Sequence, residues 1–349
     1  MLEIDGSRGE GGGQMVRTSV ALSVVTGITA HLTRIRENRP TNGLSKQHCA
    51  AISGVAEMTG SEVEGNFTGS SELVFRPGKE EKNHIELDIG TAGSISLVLQ
   101  AILLAARNHR ERLTVDIIGG TNVLWAPPID SYQQILFPLL DGMGIHADVD
   151  IRERGFYPRG GGHVIATQEP IKMISPTDLS ELGDLISVRG ICFTQNLSDR
   201  IGKEIVDSCK RTIKPYADAE IDIQSSQGDS RGAGISLVAN FENGKLGSNG
   251  LTTREYSAEK TGEDAAKDLI KEIKSGATVD IHTADQMLPY MAMADGKSRF
   301  KVSNISRHLL SQMDTLETFL DVRFGVERKD DIYHFTVNPG AKNETLYSS

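Results

Sequence analysis

LSKQHCAAISGVAEMTGSEVEG, residues 44–65, changes period part-way along. Its apolar residues recur at helical spacing as far as Met58, a glycine follows at Gly60, and a short strand-like alternation comes after it. The same shape returns in PPIDSYQQILFPLLDGMGIHADVD, residues 127–150, and in SRHLLSQMDTLETFLDVRFGVE, residues 306–327. Each copy is followed by another strand-like run, at residues 73–76, 163–166 and 333–337. Each is preceded by a further helical stretch, at residues 14–25, 93–106 and 284–294. The unit therefore reads β-α-β-α-β-β, three times over.

The spacing of the copies is uneven in an informative way. Gly60 and Gly144 hold matching places 84 residues apart, whereas Asp321, in the corresponding place of the third copy, lies 177 residues beyond Gly144. The excess of 93 residues predicts an insertion at about residues 183–277, with strands at 186–193, 219–224 and 234–240, helices at 201–214 and 262–275, and a polar turn at 225–234. The expected fold is α/β (α+β): a large domain of three β-α-β-α-β-β units, residues 1–182 plus 278–349, with a smaller α/β domain, residues 183–277, inserted in the third unit.

Bulk properties narrow the function classes. With 349 residues, 38% hydrophobic and 24% charged, the chain can build a core and is not disordered by composition. No apolar run approaches the ~18 residues of a membrane helix, so no membrane partner is expected. The start at Met1 shows no signal-peptide pattern, and the three cysteines, Cys49, Cys192 and Cys209, lack metal-site spacing; both predict a cytoplasmic protein with reduced thiols. A net charge of −10 argues against coating nucleic acid broadly, but not against gripping one RNA end with a local cation cluster. The oligomeric state is left open.

Five clusters carry candidate chemistry. DGSRGEGGGQ, residues 5–14, opens a helix bearing Arg17; glycines before a helix bring backbone amides near an anion, and Glu10 suits Mg²⁺ or Mn²⁺ bridging phosphates. No Gly-Lys-Ser/Thr follows, so this is not a Walker loop, and a flexible turn with a solvated Glu is the plainer alternative. RIRENRP, residues 34–40, precedes Gln47 and His48. Strand alternation predicts Arg34 and Arg36 on one face, where guanidinium forks match phosphate oxygens; a solvated charged edge is the alternative. DIGTAGS, residues 88–94, places glycines and hydroxyls at a strand-to-helix junction with Gln100 two turns on, and Pro127 offers a flat surface for an adenine or simply starts a helix. His282-Thr283-Ala284-Asp285-Gln286 opens another helix, either as caps or as hydrogen-bonding groups for a nucleotide. Finally, His308 follows Ser306-Arg307 at a helix start, where the dipole disfavours the imidazolium and keeps the ring nucleophilic. A single histidine can equally be structural.

Together these clusters resemble the RNA 3′-terminal phosphate cyclase family, and the resemblance covers nearly the whole chain. The most specific segments are GEGGGQMVRTSVALS from Gly9, IRENRPTNGLSKQH from Ile35, AGSISLVLQ from Ala92, GFYPRGGGHV from Gly155, the Ala284-Asp285-Gln286 motif and SRHLLSQMDTLETFL from Ser306. The resemblance implies the same three-unit fold with its inserted domain. It implies His308 as the covalent nucleophile and ATP contacts at Gln100, Pro127 and the 282–286 stretch, where the family commonly has Tyr at the position of His282. It implies a metal-associated Glu10, and Arg17, Arg36, Arg39 and Gln47 as holders of the RNA terminal phosphate. The implied reaction uses ATP, with Mg²⁺ or Mn²⁺, to turn an RNA 3′-phosphate into a 2′,3′-cyclic phosphate through histidyl-AMP and RNA(3′)pp(5′)A. The family also has non-catalytic ribosome-assembly members that lack the histidine, which this chain keeps. Carboxyvinyl transferases share the repeat architecture and need no histidyl-AMP, so labelling by ATP separates the two classes.

Overall fold

A computed structural model describes residues 1–9, 11–253 and 255–340. The chain begins with β1 (Leu2–Asp5), α1 (Gly13–Thr26), β2 (Ala30–Thr33), α2 (Lys46–Thr59), β3 (Glu62–Glu64) and β4 (Leu73–Arg76). It continues with β5 (His84–Asp88), α3 (Ile95–Ala105), β6 (Leu113–Gly119), the short α4 (Ile129–Ser131), a π-helical turn (Tyr132–Leu136), α5 (Phe137–Asp141), β7 (Ala147–Glu153) and β8 (Gly162–Gln168). After β9 (Asp178–Leu179) come β10 (Leu185–Gln195), α6 (Asp199–Ile213), β11 (Ala219–Ser226), β12 (Gly232–Phe241), β13 (Lys245–Leu251) and α7 (Ala258–Ser275). The last stretch is α8 (Ile281–Ala292), β14 (Ser298–Val302), α9 (Arg307–Phe319), β15 (Val322–Lys329) and β16 (Ile332–Pro339).

These strands form four mixed sheets, in the orders β1-β2-β4-β3, β5-β6-β8-β7, β9-β14-β16-β15 and β11-β10-β12-β13. The first three share one pattern: the first two strands are parallel, and the rest of the ladder is antiparallel. A parallel pair needs a crossover, here α1 between β1 and β2 and α3 between β5 and β6. Between β9 and its parallel partner β14 the chain instead builds the fourth sheet with α6 and α7 before reaching α8. Apolar burial follows the same division. One cluster draws on residues from Ile4 to Leu179 and from Val279 to Val337, and a second runs from Leu182 to Ile270. Among the described residues no helix is long and apolar enough to cross a membrane.

Three local expectations need correction. Strand β2 ends at Thr33, and Arg34 and Arg36 both take left-handed backbone at φ 52° and 56°. Alternation therefore does not apply to them: Arg34 pairs with Asp5, while Arg36 donates to the Gly43 carbonyl at 2.8 Å. The helix expected after Pro127 is broken, because Pro138 has no N–H to give the Gln134 carbonyl. The turn widens there, so that the Phe137 amide reaches the Tyr132 carbonyl. Strand β13 was not anticipated; it carries three glycine or serine residues in seven, a composition with little strand signal.

Candidate active site

Helix α1 starts at Gly13, and this position has no room for a side chain. A Cβ there would stand 1.8 Å from Nε2 of His48. His48 is the third residue of α2 and completes a capping box: the Ser45 amide donates to its Nδ1 at 3.0 Å. Nδ1 is therefore the unprotonated nitrogen. Burial first, then the charges of Arg17 and Arg36, push the His48 pKa down to about 3. The sequence analysis gave His48 no role, although the spacing Ser45-x-x-His48 was the available signal.

A pH prediction follows. The folded value lies below the usual imidazole value near 6.5, so between these limits the unfolded chain takes up a proton that the folded chain refuses. This contribution is complete above pH 6.5 and is lost as pH falls towards 3. His48→Gln keeps the capping acceptor but cannot titrate. Wild type should lose roughly 3 kcal/mol more than the variant on going to about pH 4, as read by urea unfolding at the two pH values. Equal losses would show that the imidazole is not held neutral.

Arg17 lies one turn further along α1 and is only 6% exposed. Its Nε and one terminal nitrogen point at Gln100 Oε1 at 3.4 and 3.3 Å, and no carboxylate among the described residues pairs with it. Burial lowers its pKa to about 10, so it stays charged near neutral pH. A buried cation that the protein leaves without a counter-charge is costly, and it fits a site made for an anionic ligand. Arg36, Arg39 and Gln47 line the same cleft, of about 1590 Å³. The Arg36 pKa is drawn down by burial and then by Arg39. Gln47 is pinned by the Ser94 amide, which donates to its Oε1 at 2.7 Å.

His308 reaches this cleft from the second position of α9. Its Nδ1 lies 3.0 Å from Oε1 of Gln14, a buried residue of α1. An amide oxygen only accepts, so Nδ1 carries the hydrogen of this bond. Thr18 of α1 also donates to Gln312 of α9 at 2.9 Å, which fixes the two helices to each other. At the start of α9, Ser306 accepts the Leu309 amide at 2.9 Å and donates to Asp285 at 3.3 Å. His308 and the arginines thus come from the two ends of the chain.

A sequence profile described as "RNA 3'-terminal phosphate cyclase" matches residues 8–326. The chain belongs to the RNA 3′-terminal phosphate cyclase family. A cyclase of that name from Methanosarcina barkeri is 40% identical over 339 residues, covering 97% of this chain and 100% of the relative. Those from Methanopyrus kandleri and Nitrosospira multiformis are 39% and 37% identical, each over at least 95% of both chains.

The residues expected to touch ATP in this cyclase-family chain are more scattered. Gln100 is held by Arg17, and with Gln286 it faces a buried space of about 10 Å³. Gln286 donates to the His282 carbonyl at 3.2 Å, while its buried Oε1 has no partner. Asp280, not a residue of the 282–286 stretch, caps α8: it accepts the His282 and Thr283 amides at 3.1 and 2.9 Å. Thr283 and Ala284 are buried, and the His282 side chain is exposed. Pro127 accepts the Ser96 hydroxyl at 2.6 Å and directly follows Ala126 of the cleft wall. None of Gln100, Pro127, His282, Thr283, Ala284, Asp285 and Gln286 lines the large cleft. Glu10, the expected metal ligand, lies outside the described residues, and among those described no three His, Cys, Asp or Glu side chains gather as a metal site.

Proposed function

We propose that the protein uses ATP to convert an RNA 3′-terminal phosphate into a 2′,3′-cyclic phosphate, with His308 carrying AMP. The frame would be three β-α-β-α-β-β units, residues 1–182 plus 278–349, with the segment 183–277 as a small domain set in the third. The observation that carries the reading is the buried Arg17, which has no acidic partner among the described residues and lines one cleft with His308. Gln14 keeps a proton on Nδ1, so Nε2 attacks the α-phosphorus of ATP; a P–N bond forms and the bond to pyrophosphate breaks. Arg17, Arg36 and Arg39 hold the RNA 3′-phosphate, whose oxygen attacks the same phosphorus. The P–N bond breaks, His308 is released neutral, and the RNA ends in 3′-pp-5′-A. The neighbouring ribose 2′-OH then attacks the 3′-phosphorus, gives up its proton and expels AMP; proximity supplies much of this last step. Bound Mg²⁺ or Mn²⁺ would neutralise charge on the pyrophosphate; the described residues offer no ligand set for it.

Incubation with α-labelled ATP tests the reading. The protein should take up a label that acid removes and alkali spares, and RNA with a 3′-phosphate should chase it off. A protein that stays unlabelled while it is folded would overturn the proposal. In the same assay Arg39→Ala should label normally but transfer AMP to RNA more slowly, by about 1.5–3 kcal/mol of barrier, the range for hydrogen bonds to charged groups. Transfer at the wild-type rate would make Arg39 a bystander.

A further inference from the structure

Several large apolar side chains left in water stand on the rim of this one cleft: Leu124, Trp125, Tyr157 and Tyr256. Trp125 is 98% exposed and Tyr157 79%. Trp125 also holds its backbone at φ 65°, in the left-handed region that bulky residues rarely adopt. The loop thus commits its backbone to presenting an indole outward, where no described residue covers it.

The loops that bear these rings are anchored. The Thr121 and Asn122 amides donate to the Gly155 carbonyl at 2.9 and 3.2 Å, and the Gly155 amide donates to the Thr121 hydroxyl at 2.9 Å. Trp125 and Tyr157 therefore rise from one joint. On its far side this joint meets the opposite wall. The Phe156 amide donates to the Ser230 hydroxyl at 2.8 Å, and the Gly232 backbone lies so close to the Phe156 ring that a Cβ would stand 2.1 Å from it. Arg231, between those two positions, is exposed, lines the cleft and pairs with no carboxylate among the described residues.

We propose that this rim is a stacking platform for the single-stranded 3′ end of RNA. Bases of the last nucleotides stack on Trp125 and Tyr157, and Arg231 meets a backbone phosphate. Every base has a π-face, so aromatic rings beside cations hold a single strand without reading its sequence, and a duplex would not offer those faces. Arginines with no acid partner among the described residues lie both in the floor, at Arg17, and on the rim, at Arg231, which fits a polyanion. This assignment rests on the reaction proposed above, and it gives the segment after β9 a part in holding substrate.

Trp125 is the chain's one tryptophan, so its fluorescence reports on the platform alone. A short oligoribonucleotide ending in 3′-phosphate should quench it saturably, and the same oligonucleotide made abasic at its last two positions should not. Trp125→Leu combined with Tyr157→Leu should raise the RNA KM about tenfold or more, the scale of lost base stacking. The rate of self-labelling by ATP alone reports separately on the His308 step. If the wild type never labels, the reaction assignment fails, and quenching by RNA would still establish the platform. If labelling proceeds but RNA neither quenches Trp125 nor shows a raised KM in a folded double variant, the platform is wrong. Quenching by ATP alone, as strong as by RNA, would also overturn it by placing Trp125 in the nucleotide site.

Discussion

His308→Asn should abolish the covalent label and lower conversion of RNA 3′-phosphate to about 10⁻⁴ of wild type or less, the scale seen when a covalent nucleophile is removed. The fold should survive. Asn is compatible with the first turn of a helix, Ser306 still caps α9, and the amide of Asn can still donate towards Gln14. What disappears is the lone pair at Nε2. The third step does not use that nitrogen, so the variant should still cyclise a synthetic RNA bearing the 3′-pp-5′-A end. Giving the variant both substrates checks the assignment. Turnover of the plain 3′-phosphate with ATP would exclude a histidyl intermediate, and failure on the preactivated end would assign His308 a role in cyclisation as well.

Arg154→Met should cost the fold about 3–5 kcal/mol, the range for breaking a buried ion pair from one side. Arg154 makes a two-pronged pair with Asp130, at 2.9 and 2.8 Å, and the Asp130 side chain is wholly buried. The same guanidinium donates to Asn122 at 3.3 Å and Gln224 at 2.9 Å, and it stands 4.5 Å over the Phe193 ring. It thereby ties the loop that carries Trp125 to β10 and β11. Methionine fills the volume but leaves the Asp130 carboxylate without a counter-charge. Adding Asp130→Asn should recover part of the loss, because the stranded charge is then gone. Urea unfolding of the single and double variants measures both effects. A single variant within about 0.5 kcal/mol of wild type, the usual scale for surface changes, would mean that water replaces the guanidinium and the pair is not structural.

Much of this protein is legible along the chain, for a physical reason. Helix and strand periods are local properties, so the helix-to-strand changes within residues 44–65, 127–150 and 306–327 can be read along the chain, and with the uneven spacing of the copies they carry the expectation of a three-unit fold with an insertion. Arg17, Arg36, Arg39 and Gln47 are named through the resemblance of their segments to a known family, since those segments are contiguous stretches of sequence. The π-turn at Tyr132–Leu136 and the left-handed Arg34 and Arg36 escaped because each depends on what lies beside the segment as well as on its own residues. The tertiary structure alone decided which groups act together. Gln14 and His308 are 294 residues apart, and they meet through the contact of α1 with α9. The neutrality of His48 comes from burial and two neighbouring guanidiniums, and that Arg17 meets no counter-charge among the described residues is a fact about its surroundings. Side-chain identity determines which chemistry is available; protonation state and pairing depend on solvent exclusion and on neighbours from distant parts of the chain, and these exist only once the helices have packed.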